Sequence, residues 1–74
     1  SKAQVRRFDA ESWVCVHCRP SSDVVQVTSN IADEEAAEKY ATAIKESGGF
    51  VFRICKAGVL VAALQLIVSR DQQS

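Results

Sequence analysis

The sequence predicts an α+β domain of order ββαββ, with a four-stranded, mainly antiparallel sheet and one helix packed on one face. Two short segments rich in β-branched residues come first, and an acidic, alanine-rich segment ending in two glycines follows. A second pair of apolar segments then completes the chain. Two hairpins joined by a helix can bury their apolar sides in two packed layers, which is a stable arrangement for a small domain.

The first hairpin is predicted from residues 12–29. Residues 12–18 read SWVCVHC and are rich in β-branched and aromatic side chains, which favour a strand. Residues 19–23, RPSSD, have the composition of a turn, and residues 24–29, VVQVTS, form the returning strand.

The helix is predicted over residues 30–49, with Asn30 as the N-cap and Gly48 and Gly49 as the stop signal. Acidic residues fill its first turns and Lys45 lies in its last turn, which suits the helix dipole. At 100° per residue, the side facing the sheet is expected to contain Ala36, Ala37, Tyr40, Ala43 and Ile44. The solvent side is expected to contain Glu34, Glu35, Glu38, Thr42, Lys45 and Glu46.

The second hairpin is predicted after the helix. Residues 50–55, FVFRIC, alternate in character, so that Phe50, Phe52 and Ile54 are expected to face the helix. Residues 56–58 form a turn, and residues 59–69, VLVAALQLIVS, are expected to be the fourth strand. A helix is the alternative for this segment, because AALQL at its centre has high helix propensity.

The domain organisation is predicted as an N-terminal arm (residues 1–11), one globular domain (12–69) and a C-terminal tail (70–74). The last strand is apolar on both sides, as strands buried on both faces are. One helix covers only one face of a sheet. The second face is therefore expected to be covered by the arm, by a second copy of the chain or by a partner protein.

The sequence WVCVHC raises the question of a metal or redox site. Cys15, His17, Cys18 and Cys55 are the four available ligands, but on a strand Cys15 and Cys18 point to opposite faces. CVHC resembles the Cys-Pro-His-Cys pair of oxidising thioredoxin-fold proteins, although no helix pattern follows it here. We therefore expect buried, reduced strand cysteines with no metal and no cofactor.

The composition also argues against several classes of function. Nine basic and nine acidic residues cancel, so we expect no direct binding of nucleic acid. The motif GGFVFRI is similar to the aromatic strand of RNA-recognition domains, but the pattern here contains only one helix, and core packing is the favoured role of its rings. The apolar runs are too short to span a bilayer, and no acid–base pair, phosphate loop or nucleophile context predicts an enzyme.

Charge is distributed unevenly along the chain. Residues 30–49 carry five acidic residues and two lysines, whereas the arm and the strands carry most of the arginines. Arginine and aromatic residues beside apolar surface are typical of protein interfaces. The sequence therefore predicts a partner-binding surface made of Arg6, Arg7, Phe8, Arg19 and Arg53.

The opening KAQVRRFDAE, the ending SRDQQS, the length of 74 residues and the predicted layout resemble small phage-encoded transcription regulators that bind RNA polymerase. This resemblance implies a bacterial RNA polymerase as the partner, inhibition of transcription initiation with antitermination, and a place in the cytoplasm of the host bacterium. The alternative function is a structural domain that homodimerises through its uncovered sheet face. A small Cys/His metal or redox protein is a third.

Overall fold

The computed structural model describes residues 9–73 and places them in three strands and two helices. In chain order these are β1 (Trp13–Cys18), β2 (Gln26–Ile31), α1 (Glu34–Glu46), β3 (Phe50–Lys56) and α2 (Ala57–Gln73). The strands form one antiparallel sheet in the order β2-β1-β3. Within the described part of the chain, strand β1 is therefore central, and β2 and β3 are the edge strands.

The prediction of a four-stranded sheet with one helix is wrong, because residues 57–73 form a second helix. The leucines and alanines at the centre of this segment favour a helix, and that preference prevails over the β-branched residues at its ends. The first N–H groups of a helix have no partner within it. Here the backbone of residues 10–12 supplies acceptors for two of these groups. Ala57 N donates to Ser12 O over 2.8 Å, and Gly58 N donates to Ala10 O over 3.0 Å.

A turn at residues 9–12 therefore belongs to the packed unit and caps α2. Ser12 N and Ser12 Oγ both donate to Asp9 O, which closes the turn. A methyl group added at Gly58 would lie 3.0 Å from Ala10 Cβ, so the glycine permits this close approach. Lys56 Nζ and Glu11 Oε2, 3.1 Å apart, form an exposed ion pair at the same junction.

Helix α1 begins later than the sequence predicts. Its N-cap is Asp33, whose Oδ1 accepts a hydrogen bond from Ala36 N at 2.8 Å. Asn30, the predicted N-cap, instead lies in β2 with a φ of 61°. It lies within a bulge, since two residues of β2 oppose the single residue Val14 between the pairs Trp13–Ile31 and Cys15–Thr28. Asparagine tolerates this left-handed backbone better than most residues do.

The end of α1 follows the prediction. Gly48 has a φ of 90°, which favours glycine, and Gly49 N donates to Ile44 O. At Gly49 an added Cβ would lie 2.6 Å from Cys18 O, so the chain passes close to the end of β1 here. Ala37 and Ala41 are the buried residues of α1, and Ala43, which was expected to face the sheet, is exposed.

The two faces of the sheet are covered unequally. On one face, Cys15 and His17 lie under α1 and are 0% and 4% exposed. On the other face, Val14, Cys55 and Ala57 form a small apolar cluster, and Leu60 packs against it. The start of α2 therefore covers one end of this second face, and α2 packs mainly against β3.

A second bulge, in β3, reverses the expected orientation of its first residues. Val16 pairs with Arg53 and His17 pairs with Val51, so Phe52 is an extra residue that pairs with no residue of β1. The bulge shifts the alternation by one position and turns Phe50 away from α1. Phe50 and Phe52 are 66% and 60% exposed, and the prediction that they pack against the helix is wrong.

Candidate functional site

A chain of polar side chains links the sheet to α1. His17 Nε2 lies 2.9 Å from Thr28 Oγ1, and Thr28 Oγ1 donates to Tyr40 Oη at 3.0 Å. The rings of His17 and Tyr40 meet edge to face, with 5.5 Å between their centroids. The chain therefore connects β1, β2 and α1 through three different side chains.

The donor and acceptor roles of the His17 ring nitrogens depend on its tautomer. A threonine hydroxyl has one proton, and with that proton on the bond to Tyr40, the tautomer that is protonated at Nε2 donates to Thr28 Oγ1. The other ring nitrogen, Nδ1, is buried and has no hydrogen-bond partner among the described residues.

This arrangement holds the fold together but is poorly placed for chemistry. His17 is 4% exposed, so a substrate cannot reach its ring without moving α1. It is also the only histidine of the chain. The polar chain accordingly fixes the position of α1 on the sheet, which is a structural role.

The three cysteines are free and buried. Burial raises the pKa of the Cys15 thiol, and the charge of Lys45 opposes this rise only in part. A reactive cysteine needs the opposite shift, since the thiolate is the nucleophile. Cys15 faces α1 beside His17, whereas Cys18 lies on the other face of β1, as the alternation of the strand requires. Within residues 9–73, no three side chains of the metal-binding types lie close enough together to hold an ion.

The residues predicted to bind a partner fall into two groups. Arg19 and Arg53 are exposed, Arg19 just after β1 and Arg53 on β3. Arg6, Arg7 and Phe8 lie outside the described residues. Arg53 pairs with Val16 of β1, on the face of the sheet that is turned away from α1.

Sequence reasoning missed the two exposed phenylalanines of β3. Phe50 pairs with Cys18, on the same face as Arg53, and Phe52 occupies the bulge between them. Together they place aromatic rings beside a cation on an edge strand. Nothing in FVFRIC alone marks the bulge, because it is defined by the pairing with β1.

We use the term open sheet face for the part of the second face that α2 leaves uncovered. By register it contains residues from all three strands, and the exposed ones include a valine, a phenylalanine and an arginine. Its exposed or half-buried members are Val16, Val27, Phe50 and Arg53, and Cys18 in the same row is buried.

Sequence reasoning also missed the exposed half of α2. Residues 57–69 contain no charged residue, and Gln65 and Ser69 are their only polar side chains. We call residues 64–73 the distal half of α2. A shallow, open groove of about 320 Å³ runs along it and is lined by Val61, Leu64, Gln65, Val68, Ser69 and Gln72. The exposed large apolar side chains of the distal half are Leu64, Leu66, Ile67 and Val68.

A helix that is apolar around most of its circumference is normally buried. Neither helix of the described chain has both the length and the continuous hydrophobicity needed to cross a membrane.

Comparisons of the chain with protein-family models, with curated proteins and with solved structures found no match.

Proposed function

We propose that this chain is a non-enzymatic protein-binding module. The observation that carries the proposal is the exposure of ten large hydrophobic side chains among the described residues of so short a chain. Four of them belong to the distal half of α2, and two more, Phe50 and Phe52, lie in β3. Apolar patches of this kind, with aromatic and arginine side chains together, are typical of protein interfaces.

The burial of the reactive side chains supports a role other than catalysis. The histidine and the three thiols lie inside the fold, and the raised pKa of Cys15 makes its thiolate less available. The groups at the described surface are charged, uncharged polar, aromatic and aliphatic. Such groups recognise another macromolecule by shape and charge.

We propose a bacterial RNA polymerase as the partner, with inhibition of initiation and antitermination as the outcome, in the cytoplasm of the host bacterium. The choice of polymerase as the partner rests on the resemblance of KAQVRRFDAE and SRDQQS to the phage-encoded regulators. The contact would involve Phe50, Phe52 and Arg53 at one end of β3, together with Arg19. An acidic and apolar patch on the polymerase fits that combination.

The test is binding of the full-length chain to purified bacterial RNA polymerase holoenzyme, measured by biolayer interferometry. A Phe50→Ser/Phe52→Ser variant should weaken binding at least tenfold, which corresponds to about 1.4 kcal/mol or more. The matched control is Val24→Ser/Val25→Ser, which changes two valines that are equally exposed but precede β2. That control should bind within about twofold of the natural chain.

Three outcomes would change the proposal. No binding of the natural chain rejects the polymerase as partner. Equal losses in the two double variants would mean that exposed hydrophobicity in general, and not β3, drives the contact. Tight binding to a single-stranded RNA would favour base stacking on Phe50 and Phe52, a candidate that their exposure supports and the zero net charge opposes.

A further inference from the structure

Among residues 9–73, two large apolar surfaces lie without a partner. One is the distal half of α2, where Leu64, Leu66, Ile67 and Val68 are 52–63% exposed. The other is the open sheet face, where Val27 is 52% and Phe50 is 66% exposed. An apolar helix and an uncovered sheet face are the two surfaces that pack on each other in α+β domains.

The chain cannot bring these two surfaces together by itself. Lys56 ends β3, and α2 begins at the next residue, Ala57. With no loop between strand and helix, the direction of α2 is fixed by the end of β3. Ala57 and Leu60 pack at one end of the second face, and the large apolar side chains beyond Leu60, in the distal half of α2, are exposed.

We infer that a second copy of the chain covers the open sheet face, with the distal half of each α2 lying across the open sheet face of the other copy. The dimer is two-fold symmetric, and each copy contributes both surfaces. In this arrangement Phe50 of one copy packs into the groove along Val61, Leu64 and Val68 of the other. The inference rests on the proposed function in one respect, that the exposed apolar surface binds a protein. It identifies that protein as a second copy of the chain.

Charge favours a second copy over the N-terminal residues as the cover. Arg53 lies on the open sheet face, and residues 1–8 carry Lys2, Arg6 and Arg7 with no acidic residue. Placing that segment on the face would bring like charges together. Residues 57–69 carry no charge, and Arg70 and Asp71 cancel. Helix α2 therefore meets the face without repulsion.

The area also favours a reciprocal contact. Three strands of about six residues give a whole sheet face of roughly 14 by 20 Å, or about 280 Å² in plan, and α2 already covers one end of it. A stable interface buries about 800 Å² per partner, so one such contact is small. The reciprocal arrangement uses two surfaces of each copy and doubles the planar footprint, to at most roughly 560 Å². Protruding side chains such as Phe50 bury more accessible area than this plan counts.

The experiment measures the mass of the full-length chain by sedimentation equilibrium over a concentration series, without polymerase. The natural chain should approach twice its monomer mass of 8.1 kDa. Leu64→Ser/Val68→Ser alters only the helix surface, and Val27→Ser/Phe50→Ser alters only the sheet surface. Each should weaken dimerisation at least tenfold, about 1.4 kcal/mol. The control Val24→Ser/Val25→Ser should dimerise like the natural chain.

Mixing the two variants tests the reciprocal geometry. In the mixed dimer, one of the two contacts joins an unaltered helix to an unaltered sheet face, whereas every contact in either variant homodimer is damaged. The mixture should therefore dimerise more tightly than either variant alone. A dimer made by α2 against α2, or by sheet against sheet, would show no such rescue, and that result would overturn the inference.

A second measurement does not depend on the variants folding. In a mixture of isotope-labelled and unlabelled natural chain, contacts between copies should join the Phe50 ring to the methyl groups of Leu64 and Val68. A natural chain that stays monomeric overturns the inference, whether residues 1–8 or a different protein then covers the face. Phe50 takes part in both proposed contacts, and the two measurements distinguish them. A monomeric chain that binds polymerase would reject the dimer and leave the proposed function standing. A dimeric chain that does not bind polymerase would reject only the polymerase as the partner.

Discussion

Thr28 Oγ1 donates a hydrogen bond to Tyr40 Oη over 3.0 Å, and this bond ties the edge strand β2 to α1. Strand β2 makes few other contacts with α1. The same hydroxyl also lies 2.9 Å from His17 Nε2 in a second hydrogen bond, so one threonine joins three elements. The position of α1 over the sheet thus depends on a short polar chain as well as on apolar packing.

Tyr40→Phe should lower the free energy of unfolding by about 1–2 kcal/mol, because it leaves a partly buried donor without an acceptor. Without the tyrosine oxygen, Thr28 can donate to His17 Nε2 only when the ring carries its proton on Nδ1, and no described residue accepts a hydrogen bond there. One donor, either the threonine hydroxyl or Nδ1–H, therefore lacks an acceptor with either tautomer. Urea unfolding measures the loss. Lys39→Ala, in an exposed ion pair of 3.6 Å, should cost less than about 0.5 kcal/mol, and a similar loss in both variants would count against the polar chain.

Ala37→Leu should destabilise the fold by about 1–3 kcal/mol, since Ala37 is 0% exposed between α1 and the sheet and the larger side chain has no room. Ala43→Leu is the matched control on the same helix, because Ala43 is exposed. It should stay within about 0.5 kcal/mol of the natural chain. Thermal or urea unfolding of the two variants checks the phase of the helix. If Ala43→Leu proved more destabilising than Ala37→Leu, α1 would be rotated about its axis from the position described here.

Gly49→Ala should cost about 1–3 kcal/mol, because the added methyl group would lie 2.6 Å from Cys18 O and 2.9 Å from Ile44 Cγ2. Backbone must move to relieve the first of these contacts. Glu46→Ala, an exposed position on the preceding turn, serves as the control and should change stability by no more than about 0.5 kcal/mol. If Gly49→Ala proves as stable as the control, β1 and the end of α1 do not approach so closely.

Cys15 should make stability fall at alkaline pH. Burial raises the pKa of its thiol above the ordinary 9.0, so the folded state holds the proton longer than the unfolded chain does. The stabilisation is fully present below pH 9.0, and it is lost as the pH rises from there through the raised pKa. The gap in unfolding free energy between the natural chain and Cys15→Ala should therefore narrow above that pH. A gap that stays constant or widens would mean that the thiol is not desolvated.

Local sequence signals determined β1, β2, α1 and β3 to within a few residues. The β-branched run around Cys15, the acidic start of α1 and the stop at Gly48 are each read from neighbouring residues. The burial of the cysteines also follows the prediction. Of the predicted partner-binding residues, Arg19 and Arg53 are exposed on the described surface.

Tertiary structure decided the rest. Residues 57–69 are apolar on all sides, and periodicity cannot separate a buried strand from a buried helix in such a segment. The acceptors at Ala10 and Ser12 favour the helix, and they lie far from it in sequence. The bulges at Asn30 and Phe52 arise from pairing with β1, and the second bulge is what turns Phe50 outward. An exposed aromatic ring and an unpaired apolar helix are thus products of long-range pairing, because a one-residue shift in register changes the face on which every preceding side chain lies.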